Sequence, residues 1–315
     1  MASYRTVCQL PDSVNLKSLL AKPPAPLDFV LPGFVRATVG ALVSPGGVGK
    51  SFWALEAAVA ISAGPKGDLT GLKPAEGRVL VLSKEDPLEV LEHRMHALAK
   101  ALPKAVSYAN VDYRSCVGLD IDVMAEDWFT QLSAAAKGTR LVILDTLTRF
   151  HKLDENSAQD MGALLSQLER LAAASGASIL FIHHTSKSSA LNGQATMQQA
   201  ARGSSVLVDN ARWSAFLAVM TEQEARQFEV PMDERAQYVR WNISKQNYGA
   251  ALADIWYRRD DGGVLIPVRF MPRKVVAPAP AQPIPIEAEV VVETTPVKPE
   301  TPTIPSANGA FGGKW

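Results

Sequence analysis

The chain has 315 residues, 47% of them hydrophobic, and its 32 basic residues balance 32 acidic ones. This hydrophobic content is sufficient for a sizeable core, and zero net charge argues against a wholly basic nucleic-acid binder without excluding a locally basic groove. Distant Cys8 and Cys116, no signal-peptide pattern and no long apolar run predict a reduced, cytoplasmic protein that does not span a membrane.

Residues 1–30 form a predicted N-terminal arm. A short helix is expected over 14–20, with Asp12 or Ser13 as its N-cap, and three closely spaced prolines then force an extended path. Two interpretations stay open, namely a floppy terminus or an arm that packs on a neighbouring subunit.

The strongest motif is a phosphate-binding loop. An apolar strand over 39–43 leads into Ser-Pro-Gly-Gly-Val-Gly-Lys-Ser (44–51), and an apolar helix over 52–61 follows. Strand, glycine-rich turn, Lys-Ser and helix together are the context that makes a Walker A match specific. Ser44 replaces the first glycine of the consensus, where a small residue is expected to fit. The residues predicted to bind the nucleotide phosphates are Gly46, Gly47, Val48, Gly49, Lys50 and Ser51.

A second motif predicts a magnesium site. The buried strand 140–144 ends at Asp145, and four apolar residues before an acid, downstream of Walker A, indicate a Walker B sequence. We expect Asp145, through water, and the Ser51 hydroxyl to hold Mg²⁺ beside the phosphates of ATP.

The catalytic carboxylate is expected at the end of another strand. Thr146 rather than a second acid follows Asp145, whereas Glu85 directly follows the buried strand 78–83. Glu85 is therefore the predicted residue that polarises the attacking water. Asp86 is its rival, but its place before a proline favours a helix cap.

A fourth buried strand begins at Ser178 and ends in two histidines. Their position at the same sheet edge favours a γ-phosphate sensor, because His183 and His184 lack partners at metal-ligand spacing. A structural histidine is the alternative for either one. The following stretch, 185–203, is small, polar and free of acidic residues, which indicates a functional or disordered loop.

The C-terminal part of the chain contains a predicted strand from Val239, a hairpin around Asp261-Gly262 and a proline-rich segment over 275–315. That last segment is predicted to be a disordered tail. Residues 31–274 then form the predicted globular domain, an α/β fold with a mainly parallel twisted sheet, helices on both faces and an antiparallel hairpin extension.

The convergence of the phosphate loop and three polar strand ends at one sheet edge resembles the RecA-like P-loop ATPases. Over about residues 20–270, the chain further resembles the plasmid RepA replicative helicases, small hexameric rings of the DnaB-like group. The segments that carry this resemblance are Leu-Pro-Gly (31–33), the phosphate loop with its strand (39–51), Glu-Asp-Pro (85–87), Leu-Asp-Thr-Leu-Thr-Arg-Phe-His (144–151), His-His-Thr-Ser-Lys (183–187), Arg-Gly-Ser-Ser-Val-Leu-Val-Asp-Asn-Ala-Arg-Trp (202–213) and Ser-Lys-Gln-Asn-Tyr-Gly (244–249).

The resemblance implies roles for five further residues. Arg212 matches the arginine finger given to a neighbour's ATP, and His184 matches the sensor position better than His183 does. Arg94 and Tyr248 are implied to sandwich the adenine, and Lys245 to reach across the subunit interface. From the residues alone, alternatives remain. Arg212 could be a surface arginine, Arg94 a helix-surface arginine, Tyr248 a buried tyrosine and Lys245 a solvated strand end.

The implied activity is that of an ATP-dependent DNA helicase acting as a homo-hexamer on single-stranded and forked duplex DNA. Lys187 and Arg202 would contact DNA phosphates from loop 185–203, which has no aromatic residue, so sequence-tolerant and salt-sensitive binding is expected. A replication initiator or primase is an expected partner. Two alternatives are a RecA-like ATPase in recombination or regulation without unwinding, and a nucleotide-gated DNA-binding scaffold.

Overall fold

The computed structural model describes residues 12–184 and 205–270, and all of them belong to one compact unit. The strands are β1 Phe29–Leu31, β2 Phe34–Val35, β3 Val39–Ser44, β4 Val79–Ser83, β5 Val111–Ser115, β6 Leu141–Asp145, β7 Ser178–His184, β8 Trp213–Val219, β9 Tyr238–Gln246, β10 Ile255–Arg259 and β11 Leu265–Val268. The helices are α1 Leu16–Leu19, α2 Lys50–Ala63, α3 Leu88–Ala101, α4 Glu126–Ala136, α5 Ala158–Ser175, α6 Ser205–Asn210 and α7 Glu222–Phe228.

A nine-stranded sheet organises this part of the chain. Its strand order is β11-β10-β9-β8-β3-β7-β6-β4-β5. The six strands from β8 to β5 pair in parallel, whereas β9, β10 and β11 add an antiparallel extension beyond β8. The predicted α/β class, the mainly parallel sheet and its antiparallel extension are therefore confirmed.

Helices cover both faces of the sheet, as the uninterrupted apolar strands require. On one face α2 packs through side chains such as Trp53 against β3, β4, β6 and β7. On the other face α4, α5 and α6 pack against the alternate residues of the same strands, with Leu168 fully buried. Nearly all of α2 is buried, which explains why its sequence is apolar without helical periodicity.

A small hairpin, β1–β2, crosses the predicted boundary between arm and domain. Val30, Leu31 and Phe34 are buried in the core beside α2 and β3. Gly33 turns the chain with a φ of 72°, a value that side-chain-bearing residues rarely adopt. The predicted domain boundaries and the role of the arm stay predictions.

The expected N-cap of the first helix was wrong. Helix α1 is capped by Asn15, whose Oδ1 accepts from the Ser18 amide at 3.2 Å, rather than by Asp12 or Ser13. Helix α4 begins only at Glu126, because the Asp122 carboxylate accepts the Met124 amide in a local turn before it.

Two local expectations near the site were also wrong. Asp86 does not cap α3, since Pro87 is the N-cap and the Asp86 carboxylate lies 2.6 Å from the Arg94 guanidinium. The β10–β11 connection is a 3-10 turn over Asp261–Gly263, longer than the two-residue hairpin turn expected at Asp261-Gly262. Its Gly262 and Gly263 have φ values of 71° and 93°.

Some predictions lie outside the described residues. These are the first eleven residues of the arm, Lys187 and Arg202 of loop 185–203, and the tail 275–315. Among the helices that the structure describes, none combines the length and apolarity needed to cross a bilayer.

Candidate active site

The phosphate loop connects the end of β3 to the start of α2. Gly47 and Gly49 have φ values of 79° and 109°, so a side chain at either position would strain the turn. The Lys50 ammonium donates to the carbonyls of Ser44 and Pro45 at 3.0 and 2.8 Å and to the Ser44 hydroxyl at 3.2 Å. Burial lowers the pKa of Lys50 to about 8, against the opposing effect of nearby Asp145 and Glu85. The Lys50 cation thus lies against oxygens of its own loop.

These contacts account for the departure from the consensus. Ser44 is fully buried, and its hydroxyl both accepts from Lys50 and donates to the Pro45 carbonyl at 2.8 Å. A glycine in this position would leave Lys50 with carbonyl acceptors only.

Asp145 closes β6 beside the loop. Ser51 hydrogen-bonds its carboxylate, and burial raises its pKa to about 6. One carboxylate oxygen, Oδ1, is buried and has no hydrogen-bond partner among the described residues. An orphaned buried carboxylate oxygen next to a hydroxyl is a donor set that suits Mg²⁺.

Glu85 lies beside Asp145 because β4 and β6 pair in parallel register, with Ser83 opposite Asp145. Its Oε1 accepts from the Thr146 hydroxyl at 2.9 Å and lies 3.5 Å from Nε2 of His184. These contacts, with the His184 hydrogen bond the largest cause, lower the pKa of Glu85 to about 2. Glu85 is therefore ionised at neutral pH.

The two adjacent histidines have different surroundings, because successive residues of a strand point to opposite faces. Burial lowers the pKa of His183 to about 4, so this imidazole is neutral. His184 is exposed, lies opposite Ser44 in the β3–β7 register and contacts Glu85. The structure thus places His184, and not His183, against the predicted catalytic carboxylate.

Lys50, Ser51, Glu85 and His184 line one open cavity of about 320 Å³, which Arg94 of α3 also borders. Asp145 lines a smaller pocket that shares Ser51 and Arg94 with it.

Arg259 is a further lining residue of the open cavity, and the sequence reasoning missed it. Its guanidinium Nη2 donates to the Val48 carbonyl at 2.8 Å and approaches the Gly47 carbonyl at 3.4 Å. Arg258 and Arg259 stand just before the predicted hairpin turn, and the sequence does not indicate that this segment approaches the phosphate loop.

Three predicted residues lie at the other edge of the sheet. Arg212 is exposed, and its amide donates to the Val39 carbonyl at the start of β3. Lys245 pairs with Ser214 at the start of β8 and bonds the Asp209 carbonyl. Tyr248 lies close by, since a Cβ on Gly33 would meet its carbonyl at 3.0 Å.

This edge is far from the phosphate loop of the same chain. The Lys50 ammonium donates to the carbonyl of Ser44, the last residue of β3, whereas the Arg212 amide donates to that of Val39, the first. Ser44 lies five residues after Val39 along the strand, which separates them by about 16 Å. Arg212, Lys245 and Tyr248 therefore do not line their own chain's cavity, and Tyr248 does not face Arg94 within one chain.

A parallel sheet with a glycine-rich loop, a buried lysine and a strand-end aspartate at its carboxyl edge defines a P-loop ATPase of RecA-like fold. The family comparison agrees, since the AAA domain model matches residues 4–190, more than half of the chain. The protein belongs to the AAA domain family.

Two solved structures share the fold. The ATPase domain of G40P matches with a TM-score of 0.56 and 12% identity, covering 82% of this chain and 100% of that chain. A DnaB-like replicative helicase, described with its interactions with primase, matches with a TM-score of 0.56 and 13% identity, covering 80% of this chain and 66% of that chain. At such low identity the likeness shows a common fold.

Proposed function

We propose that this protein is an ATP-dependent replicative DNA helicase that forms a ring, translocates on single-stranded DNA and unwinds duplex DNA in plasmid-type replication. The observation that carries the proposal is the division of the predicted site between two edges of the sheet. Lys50, Glu85 and His184 lie at one edge, and Arg212 and Tyr248 lie at the other.

A divided site is completed by a second copy of the chain. When one edge of a protein docks on the opposite edge of the next copy, the interface is heterologous and generates a closed ring or a filament. In a ring, Arg212 and Lys245 of the neighbouring subunit would approach the phosphates, and its Tyr248 would stack the adenine against Arg94. An arginine and an aromatic ring suit a base sandwich. We propose a homo-hexamer.

The chemistry follows from the charges in the cavity. Lys50 would leave its loop carbonyls for the β- and γ-phosphates, and ionised Glu85 would orient and polarise the attacking water. His184, in contact with Glu85, is placed to report whether a γ-phosphate is present. Asp145 and Ser51 would hold Mg²⁺, which neutralises developing charge on the phosphates when bound. Arg212 of the neighbouring subunit would complete this stabilisation.

Coupling to DNA is assigned to loop 185–203. Lys187 and Arg202 would bind DNA phosphates in the central channel, and several copies of a small basic loop would concentrate positive charge there although the chain is neutral. The fold neighbour described with primase makes primase a candidate partner. A replication initiator is the second candidate in a plasmid-type role.

Unwinding of a forked duplex by the purified protein tests the proposal, with the ring measured by light scattering in ATP and single-stranded DNA. Lys50→Ala, Glu85→Gln and Arg212→Ala are each expected to abolish strand separation. ATP turnover without any fork opening would favour a recombination or regulatory ATPase. ATP-driven changes in assembly without sustained turnover would favour a nucleotide-gated scaffold, and a persistent monomer would overturn the arginine finger.

A further inference from the structure

Arg259 contacts the phosphate loop from the antiparallel extension of the sheet. Its guanidinium reaches the carbonyls of Gly47 and Val48, and a Cβ added to Gly49 would lie 3.7 Å from the same Nη2. The loop therefore touches a residue more than 200 positions later in the sequence, on a strand that Walker motifs do not include.

The strand that carries Arg259 is firmly attached to α2, the helix that follows the loop. The Leu265 amide donates to the buried Glu56 carboxyl group at 2.7 Å, and the Trp53 indole donates to the Tyr257 hydroxyl at 3.3 Å. The Tyr257 hydroxyl in turn donates to the Thr70 carbonyl at 2.6 Å. Because these contacts are buried, the β10–β11 hairpin and α2 form one support for the loop.

The geometry of the peptide unit gives the Arg259 contacts a consequence. In a trans peptide the carbonyl and the N–H of the same unit point in opposite directions. The Gly47 and Val48 carbonyls belong to the units that contain the Val48 and Gly49 N–H groups. When Arg259 holds these carbonyls, it turns both N–H groups away from itself, as an anion-binding loop requires.

We propose that Arg259 is a positioning residue that holds the phosphate loop in its anion-binding conformation. The inference rests on the proposed nucleotide site and extends it beyond the Walker motifs. It assigns to Arg259 an effect on the affinity for the β-phosphate, which the loop amides bind, and none on the hydrolytic step.

The test compares the affinities of Arg259→Met and Arg259→Lys for ADP and ATP. These affinities are measured by calorimetry under conditions in which ATP is not hydrolysed. Arg258→Met is the matched control, because Arg258 is the preceding residue of β10 and is exposed. Arg259→Met is expected to weaken both nucleotides by about tenfold or more, and by similar factors, since charge-assisted hydrogen bonds orient the loop. Arg259→Lys, which keeps the charge but loses the fork, should lie between it and the wild type.

Steady-state kinetics separate positioning from a merely structural role. KM for ATP should rise in Arg259→Met while kcat changes less than about threefold. If Arg259→Met does not fold, an Arg259→Lys variant with wild-type affinity overturns the inference. Unchanged affinity, or a loss confined to ATP, also overturns it. Wild-type protein that binds neither nucleotide would instead overturn the proposed function.

Discussion

Two carboxyl groups on neighbouring strands, Glu85 and Asp145, have their pKa values moved in opposite directions. Hydrogen bonds from His184 and Thr146 lower the pKa of Glu85, whereas burial raises that of Asp145. This difference gives the two groups separate roles. Glu85 stays charged in partial contact with water, whereas the buried Asp145 gains most from a nearby cation. This is the physical basis for assigning water activation to Glu85 and metal binding to Asp145.

The first prediction concerns that assignment. Glu85→Gln preserves the shape of the side chain and its bond to Thr146 but removes the charge. ATP should bind within about threefold of the wild-type affinity, while turnover should fall about 10²- to 10⁴-fold. Phosphate-release assays and equilibrium binding measure the two effects. Asp86→Asn serves as the control, and an equal loss of turnover there would reassign the role.

The second prediction concerns Ser44 and Lys50. Lys50 is expected to leave the Ser44 hydroxyl and both loop carbonyls when it binds the phosphates. In Ser44→Ala, the backbone carbonyls of positions 44 and 45 would still accept from Lys50 before nucleotide binds. Ser44→Ala should therefore change nucleotide affinity by less than about threefold, whereas Lys50→Met should weaken it by about 100-fold or more. Equilibrium binding measurements compare the nucleotide affinities of the two variants. Comparable losses in the two variants would mean that the hydroxyl itself serves bound nucleotide.

At the scale of elements, helix α2 joins the loop to the antiparallel extension through a buried carboxyl group. Glu56 is fully buried, its Oε1 accepts from the Leu265 amide, and its Oε2 has no hydrogen-bond partner among the described residues. Burial raises its pKa from an ordinary 4.5 to about 8. Nearby Tyr257 stays neutral over this range because burial raises its pKa as well.

The third prediction is the pH dependence of stability that follows. The unfolded chain releases the Glu56 proton from about pH 4.5 upward, whereas the folded protein keeps it until about pH 8. The contribution of Glu56 to the free energy of unfolding is therefore fully present below pH 4.5 and is lost as the pH rises to 8. Glu56→Gln should remove the loss, so the variant should be more stable than wild type by roughly 4 kcal/mol at pH 8.

Urea unfolding at pH 5 and pH 8 measures this difference, which should shrink toward pH 5. Glu92→Gln on the exposed surface of α3 is the control and should show no such trend. A difference between Glu56→Gln and wild type that does not change with pH would contradict the assignment.

At the scale of the whole molecule, the direction of the strands separates the halves of the proposed site. Parallel strands place Lys50 and Glu85 at their carboxyl edge and Arg212 at their amino edge. The antiparallel run of β8 into β9 brings Lys245, and Tyr248 after it, to that same amino edge. In the proposed ring, one copy of the chain therefore contributes to two sites and completes neither.

The fourth prediction uses this division. Arg212→Ala and Glu85→Gln should each be inactive alone, because every interface lacks one group. When the two variants are mixed and reassembled, random assembly pairs an intact Glu85 with an intact Arg212 at roughly a quarter of interfaces. ATPase activity should then reappear. No recovery, in mixed assemblies shown to form by labelled subunits, would argue that Arg212 does not act between chains.

Much of the fold and the loop-side half of the proposed site could be predicted from local sequence. Apolar runs indicated the buried strands, and the carboxyl ends of parallel strands meet at one edge, so the grouping of Lys50, Glu85, Asp145 and His184 followed without knowledge of strand order. The glycines and the Lys-Ser pair located the phosphate loop, because this motif consists of consecutive residues. Helix starts were less predictable, because several polar residues compete to cap each one.

Only the tertiary structure decided the remaining relations. The pairing of Asp86 with Arg94, the contact of Ser44 with Lys50 and the approach of Arg259 to the loop depend on side-chain directions or on strands distant in sequence. The separation of Arg212 and Tyr248 from the loop depends on strand direction. A sequence determines its own periodicity and local turns, but long-range pairing sets strand order and direction, and these place each residue at one edge or the other.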